Sequence, residues 1–300
     1  MRPRLTALAA LAALAGCGGG SPEGGGSGAK APASAIVDPQ GSSPLVNSLE
    51  VEPGTGKLLV TTNRGFFRVD PKGGDPERIR GVATAKERSV PVGGFLEVLP
   101  VGPKALLGSG HPDRGGVLPE FLGVLRSEDG GRTWSVIARL GEADLHRMVM
   151  KGSKLYAFDA ILGAVLVSGD GGRTFEERVA PPEPMVELEV DPGDPSRMLL
   201  ASEQTTFRSE DGGDRWRPLA RSPGTRLAWP APEALYRADG AGAISVSADG
   251  GDSWRAVGRV GGEPARLKAV DAQHLYVALK TGAILESRDG ARSWTAVYEP

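Results

Sequence analysis

The chain has 300 residues and a net charge of −2, and its 44 glycines and 24 prolines are nearly twice the usual combined share. Only 5% of its residues are aromatic although 40% are hydrophobic, a balance that favours short strands and tight turns and excludes wholesale disorder. The near-neutral charge provides no basic surface of the kind that binds nucleic acid, so no nucleic-acid partner is expected.

Residues 1–16 are predicted to form a lipoprotein signal peptide. Arg2 and Arg4 precede an apolar run over residues 5–14, which is too short to span a bilayer. The run ends in Leu-Ala-Gly-Cys, which resembles the lipobox of bacterial lipoproteins, where the chain is cut before the cysteine and the cysteine is lipidated. Cys17 is the only cysteine in the chain. We therefore expect a lipid anchor on Cys17; the alternative is an ordinary secretory signal with an incidental cysteine.

Residues 17–43 are predicted to be the lipidated cysteine and a tether rich in glycine, serine and proline, a composition typical of flexible linkers. The lipid anchor makes the membrane a partner. It places the protein in the bacterial cell envelope, either on the outer side of the cytoplasmic membrane or in the periplasm and outer membrane.

A motif of the form Ser-x-Asp-Gly-Gly-x-x-aromatic recurs five times, and its last copy has Ala291 in place of the second glycine. The aspartates are 41, 41, 38 and 40 residues apart: Asp129, Asp170, Asp211, Asp249 and Asp289. Aspartate and serine side chains bond backbone groups inside tight turns, and glycine adopts backbone angles that other residues avoid. A period near 40 with strand-like flanks predicts a β-propeller with one blade per repeat.

We predict an all-β fold, a six-bladed β-propeller over residues 44–300 with four antiparallel strands in each blade. The blades are expected to begin near residues 48, 94, 145, 186, 225 and 266. The second is expected to carry an insertion near residues 108–120. A seventh blade would need about 280 residues at this period, which is more than the tether leaves.

The five motifs resemble the Asp-box, also called the BNR repeat, of sialidases, sortilin-type receptors and photosystem II assembly factors. The whole chain is also similar to bacterial lipoproteins labelled glycosyl hydrolase or sialidase-like, through residues 108–113, 141–146 and 227–230. The resemblance implies a propeller with structural turns, and a fold does not by itself fix a chemistry. The structural Asp-box residues are then Ser127, Asp129, Trp134, Ser168, Asp170, Phe175, Ser209, Asp211, Trp216, Ser247, Asp249, Trp254, Ser287, Asp289 and Trp294.

A sialidase-like glycoside hydrolase is the enzymatic alternative that the resemblance raises. Such sialidases use a tyrosine nucleophile paired with a glutamate, an aspartate acid/base and three arginines that grip the substrate carboxylate. The sequence nearest to their first arginine motif surrounds Arg68 and lacks its proline. Tyr156, Tyr236 and Tyr276 share one repeat position, which indicates packing. No catalytic residue is therefore predicted.

The loop position after the second strand of each blade is polar and varied. In the familiar propeller layout these loops and the entries to the inner strands open on the face opposite the Asp-box turns. The candidate ligand-binding residues there are His111, Asp113, Asp144, His146 and Asp159. Imidazoles and carboxylates bind divalent metals, so His111 and His146 are candidate metal ligands. The alternative is a structural hydrogen-bond network that closes the insertion.

Together these features predict a lipid-anchored extracytoplasmic propeller that acts as a non-catalytic binding or assembly module for a protein or glycan. No cofactor is expected. A divalent metal at His111 and His146, serving an enzyme or a sensor, is the alternative.

Overall fold

The computed structural model describes residues 36–37, 46–85, 87–112, 117–221 and 225–300. The predicted signal peptide, Cys17, most of the predicted tether and Asp113 lie outside the described residues. The described part forms 25 β-strands, and it holds no helix with the length and apolarity needed to cross a membrane.

Five sheets are four-stranded antiparallel blades in which the strands follow chain order from the axis outward. The first blade consists of β1 (Val46–Val51), β2 (Leu58–Thr62), β3 (Gly65–Val69) and β4 (Glu77–Ile79). The second consists of β10 (Leu145–Lys151), β11 (Lys154–Asp159), β12 (Ala164–Ser168) and β13 (Glu176–Val179). The third consists of β14 (Met185–Val190), β15 (Met198–Ser202), β16 (Thr205–Ser209) and β17 (Arg217–Arg221). The fourth consists of β18 (Arg226–Ala231), β19 (Ala234–Ala238), β20 (Ala243–Ser247) and β21 (Arg255–Arg259). The fifth consists of β22 (Pro264–Ala269), β23 (Leu275–Leu279), β24 (Ile284–Ser287) and β25 (Thr295–Tyr298).

The prediction of six four-stranded blades is wrong, because the segment expected to form the second of them folds into a closed five-stranded barrel. The barrel consists of β5 (Gly81–Ala85), β6 (Arg88–Pro100), β7 (Leu106–Pro112), β8 (Val124–Ser127) and β9 (Thr133–Ala138). Its inner strand β6 has 13 residues, and the first part of this strand, from Arg88 to Val92, pairs with β5. β5 then lies parallel to the outer strand β9, from Val82–Thr133 to Thr84–Ser135, and this pairing closes the sheet on itself.

The six inner strands, β1, β6, β10, β14, β18 and β22, pack side by side in a closed ring around the axis. They begin at residues 46, 88, 145, 185, 226 and 264. Ile36 and Val37, inside the predicted tether, are both fully buried where the first and last blades meet. The Ile36 N–H donates to the Tyr298 hydroxyl at 3.0 Å, and its carbonyl accepts from the Thr62 hydroxyl. These two residues therefore connect the two ends of the ring.

The five repeat turns share one pattern of serine hydrogen bonds, as in the copy around Asp129. The Ser127 hydroxyl donates to Asp129 Oδ1 at 2.9 Å and accepts from the Gly131 N–H at 2.9 Å. The Thr133 hydroxyl donates to Asp129 Oδ2 at 2.7 Å. The serine contacts recur in the other four turns. Each aspartate thus holds a β-turn at the entry to an outer strand.

Candidate functional site

The upper face, defined here as the face opposite the five repeat turns, brings three of the predicted residues together between the barrel and the second blade. Asp144 lies between two imidazoles: its Oδ2 is 3.0 Å from His146 Nε2 and its Oδ1 is 3.7 Å from His111 Nε2. His111 Nδ1 is 2.9 Å from the carbonyl oxygen of Glu120. This nitrogen therefore carries a proton, and Nε2 of His111 faces the carboxylate.

The Asp144 carboxylate is only partly satisfied by its neighbours. Its side chain is 14% exposed, yet Oδ1 is buried and has no hydrogen-bond partner among the described residues. A buried polar atom without a partner costs free energy until water or a ligand satisfies it. His111 and His146 flank this oxygen and are 31% and 42% exposed, so the cluster opens to solvent.

Asp159 supports this cluster from below. It is fully buried, and its Oδ1 accepts the N–H of Asp144 at 3.3 Å and the N–H of Ile161 at 3.0 Å. Burial raises the pKa of Asp159, and the backbone N–H groups that it accepts only partly offset this rise. Asp159 therefore positions both Asp144 and the turn that follows β11.

Exposed apolar side chains lie in the turn after Asp159 and on the outer strand of the same blade, and sequence reasoning missed them. Ile161 is 49% exposed, Leu162 is 45% exposed and Val179 is 77% exposed. Ile161 and Leu162 directly follow the Asp159 turn, and Val179 pairs with Ala164 on the edge strand of the same blade. The signal in the sequence was an Ile-Leu pair at a polar loop position. Such neighbouring exposed apolar groups are typical of interaction surfaces.

The histidines and carboxylates of this cluster are candidate metal ligands. Across the described ranges, no three histidine, cysteine, aspartate or glutamate side chains are placed to hold an ion. Asp113, the fifth predicted member of the cluster, lies outside those ranges. A metal at His111 and His146 therefore stays a prediction.

A tyrosine–glutamate pair is present in the last blade, where the sequence suggested only packing. The Tyr276 hydroxyl donates to Glu286 Oε1 at 2.6 Å, and His274 Nε2 is 2.8 Å from the same oxygen. Tyr276 is only 1% exposed, and burial together with the Glu286 contact raises the pKa of its phenol. A nucleophile must reach its substrate, so this pair acts in blade packing in the conformation described here.

A ring of charged side chains around the propeller axis is the second feature that sequence reasoning missed. Every inner strand contributes one residue opposite the same position of its second strand: Ser48, Glu97, Arg147, Glu187, Arg226 and Arg266. In five of these strands a β-bulge immediately precedes the residue and re-aims its side chain. The signal was a charged residue at the same position of five of the six inner strands, the first strand having Ser48 there.

Arg147 bridges two neighbouring members of this ring. Its Nη1 is 2.8 Å from Glu97 Oε2 and its Nη2 is 3.1 Å from Glu187 Oε2, so it connects the inner strands on either side of its own. Arg266 Nη1 lies 3.9 Å from Glu187 Oε1 across the axis. Burial raises the pKa of Glu97 to about 8, although Arg147 lowers it. Burial therefore holds the pKa of this carboxyl well above its ordinary value.

Comparison with known proteins supports the propeller fold and nothing finer. No protein-family model and no curated protein sequence matches the chain significantly. YCF48 from Cyanidioschyzon merolae is 15% identical with a TM-score of 0.51, over 89% of this chain and 87% of that one. A second YCF48 structure, bound to D1 peptide, is 13% identical with a TM-score of 0.54, over 85% and 92%. The GH74 enzyme of Niastella koreensis is 14% identical with a TM-score of 0.56, and the match covers 84% of this chain but only 45% of the enzyme.

Proposed function

We propose that this protein is an Asp-box propeller, anchored by lipid on Cys17 in the bacterial cell envelope, that binds a segment of a partner protein on its upper face. The observation that carries the proposal is the Asp144 carboxylate, whose Oδ1 has no hydrogen-bond partner among the described residues and lies 3.7 Å from His111 Nε2. Exposed Ile161 and Leu162 lie in the turn that Asp159 holds on the same face. A structure of similar fold, YCF48, is bound to a peptide, which agrees with this use of a propeller.

The chemistry of the surface defines the segment that it would recognise. A lysine or arginine side chain would donate a charge-assisted hydrogen bond to the Asp144 carboxylate, which is stronger than a bond between neutral groups. Apolar side chains next to that cation would cover Ile161, Leu162 and Val179, which are exposed in the free protein. The proposed ligand is therefore a basic residue flanked by apolar residues.

Site-specific photocrosslinking in intact membranes tests this function. A photoreactive residue at position 161 should give a discrete crosslinked protein whose attachment site lies beside a lysine or arginine and apolar residues. Asp144→Asn should abolish that product because the amide removes the charge and leaves the shape. Glu263→Gln is the matched control, since it removes a 49%-exposed carboxylate that precedes an inner strand of a different blade. Equal crosslinking in wild type and Asp144→Asn, or attachment to an acidic segment, would refute the proposal.

A substitution of Cys17 tests the proposed lipid anchor separately. Cys17→Ser should move the protein from the membrane fraction to the soluble fraction, or leave it unprocessed, because one modified cysteine carries the proposed attachment. Membrane fractionation with detection of the processed form measures this. Unchanged membrane association of the variant would count against lipidation without affecting the upper-face proposal.

A further inference from the structure

A cleft of about 350 Å³ lies where the fourth and fifth blades meet on the repeat-turn face, which is the face opposite the upper face. The fourth blade supplies Glu233, Tyr236 and Arg255 to its lining, and the fifth supplies Gln273 and Arg292. Small-molecule sites in proteins occupy about 300–1,000 Å³, so the cleft is large enough for one. It is separate from the Asp144 cluster.

The inner wall of the cleft is apolar and joins the two blades. Ala234 and Tyr236 are buried there, and Val246 and Ala272 are half-buried. The Tyr236 hydroxyl donates to the Ala272 carbonyl at 2.7 Å, which connects the fourth blade to the fifth at this wall. Because the donor is used, the hydroxyl oxygen keeps a lone pair for a ligand.

The rim of the cleft is polar, exposed and little used by the protein itself. The side chains of Glu233, Arg255 and Gln273 form no hydrogen bond or ion pair with any described residue. Arg292 Nη1 donates to the Asp289 carbonyl of its own turn at 2.7 Å, and no described carboxylate pairs with it. Two guanidinium groups and one carboxylate therefore remain for a ligand.

The other repeat turns show that this junction is unusual. In three of them, the residue after the second glycine forms an ion pair with the preceding sheet. The pairs are Arg132–Glu77 at 3.6 Å, Asp214–Arg178 at 3.0 Å and Asp252–Arg208 at 2.7 Å. In the last turn the residue at this position is Arg292, and the preceding blade presents Arg255 to the same cleft, a charge of the same sign. Like charges thus line the cleft where these three junctions have an ion pair.

We propose that this cleft binds a phosphorylated sugar, with its phosphate between Arg255 and Arg292 and its hydroxyl groups on Glu233 and Gln273. The planar guanidinium group matches the geometry of phosphate oxygens. A phosphate monoester carries a charge of about −1.5 to −2 at pH 7, which balances two arginines, whereas a carboxylate balances only one. The Glu233 carboxylate accepts hydrogen bonds from hydroxyl groups and repels a second anion.

The spacing of the strands favours a sugar phosphate over a bare phosphate ion. Glu233 lies in the turn between β18 and β19, and Arg255 is the first residue of β21. Neighbouring strands are about 4.8 Å apart, so the two backbone positions are about 12 Å apart across the blade. A phosphate ion held by the arginines cannot also contact Glu233, and an attached hexose extends towards it.

Isothermal titration calorimetry of the full-length protein, in a detergent without sugar or phosphate groups, tests the assignment. Glucose 6-phosphate should bind saturably to one site, at least about tenfold more tightly than inorganic phosphate, because the phosphate ion lacks the hydroxyl contacts. Glucuronate should bind more weakly than glucose 6-phosphate, and glucose should give no measurable heat. No binding of glucose 6-phosphate at millimolar concentration, or equal affinity for inorganic phosphate or glucuronate, would overturn the proposal.

Two variants locate the site. Arg255→Gln should weaken glucose 6-phosphate binding at least about tenfold without changing the melting temperature, because the side chain has no partner in the described structure. Arg217→Gln is the matched control: Arg217 holds the same repeat position in the third blade, pairs with Glu210 at 3.0 Å, and should be dispensable for binding. Glu233→Gln should weaken binding of glucose 6-phosphate but not of inorganic phosphate.

Equal binding by Arg255→Gln and Arg217→Gln would contradict the assignment. So would an unchanged affinity of Glu233→Gln for glucose 6-phosphate. Crosslinking at position 161 reports on the upper face, so either result is independent of the proposed function.

Discussion

At the scale of single residues, the aromatic positions of the repeat turns are not equivalent. Trp134 is 1% exposed and its indole N–H donates to the Gly131 carbonyl at 2.8 Å. Trp254 holds the same repeat position but is only partly buried, and the Arg237 guanidinium covers its ring at 4.2 Å from the centroid. The difference follows from the barrel, which closes β5 and β9 around Trp134 and leaves no open side.

Trp134→Ala should therefore lower the free energy of unfolding by about 3–5 kcal/mol, because it leaves a large cavity in a core that cannot collapse. Trp254→Ala should cost about half as much, since solvent already reaches part of that ring. Urea unfolding followed by circular dichroism measures both. Equal losses in the two variants would contradict this account of the barrel.

The last repeat turn shows how one residue alters a shared geometry. Ala291 adopts φ of 71°, in the left-handed region where a side chain is strained, while the glycines at this position in the other turns have φ between 90° and 97°. Trp294 Nε1 is buried and has no partner among the described residues, whereas the equivalent indoles of Trp134, Trp216 and Trp254 donate to the carbonyl of that glycine. The alanine turn therefore coincides with a lost indole hydrogen bond.

At the scale of the element, each repeat turn is stabilised by an ionised aspartate. Burial raises the pKa of Asp129, but the N–H and hydroxyl of Thr133, the Ser127 hydroxyl and the Arg132 N–H together lower it to about 2. The folded pKa is thus below the unfolded value of about 4. A depressed carboxyl pKa contributes stability that is present above the unfolded value and lost as the pH falls through the folded value.

Asp129→Asn should accordingly reduce stability by about 1 kcal/mol at pH 7, a figure discounted for partial exposure of the turn. The difference from wild type should shrink as the pH falls from about 4 to about 2, because wild type then loses its carboxylate too. Thermal unfolding at several pH values measures this. The adjacent exposed Glu128→Gln is the control and should show no such convergence. A pH-independent difference for Asp129→Asn would mean that charge is not what stabilises the turn.

At the scale of the whole molecule, the axial ring couples the inner strands of different blades. Glu97 of the barrel faces Arg147, Glu187, Glu50 and Arg266, which belong to four of the blades. Burial raises its folded pKa to about 8, above the unfolded value of about 4.5. Between these two values the folded state holds more protons than the unfolded state, so stability falls as the pH rises, and above pH 8 the loss is complete.

Glu97→Gln should remove this dependence because the amide stays neutral. Below pH 4.5 the two proteins should be about equally stable, and at pH 9 the variant should be more stable by about 2–4 kcal/mol. Chemical denaturation from pH 4 to pH 9 tests the prediction. If the variant is less stable at pH 9, the ionised Glu97–Arg147 pair is a net stabilising contact and the burial argument is wrong.

The sequence alone determined the local and periodic features of this protein. Serine, aspartate and glycine in the repeat turns act over a few residues, so their spacing predicted the all-β propeller architecture and its four-stranded antiparallel blades. The propeller register also predicted that His111, Asp144 and His146 lie together, because the loop after the second strand of one blade lies beside the entry to the inner strand of the next. Both inferences rest on short-range bonding repeated at a fixed period.

Only the tertiary structure decided the features that depend on distant segments. The count of six four-stranded blades was wrong because β5 pairs in parallel with β9, which lies some 50 residues further along the chain. No local sequence pattern encodes that pairing. The missing hydrogen bond at one Asp144 oxygen became visible only once burial was known. The same holds for Arg147 between Glu97 and Glu187: each charge looks like an ordinary polar residue of one strand, and only closure of the ring, which removes water from the axis, makes the three a buried network.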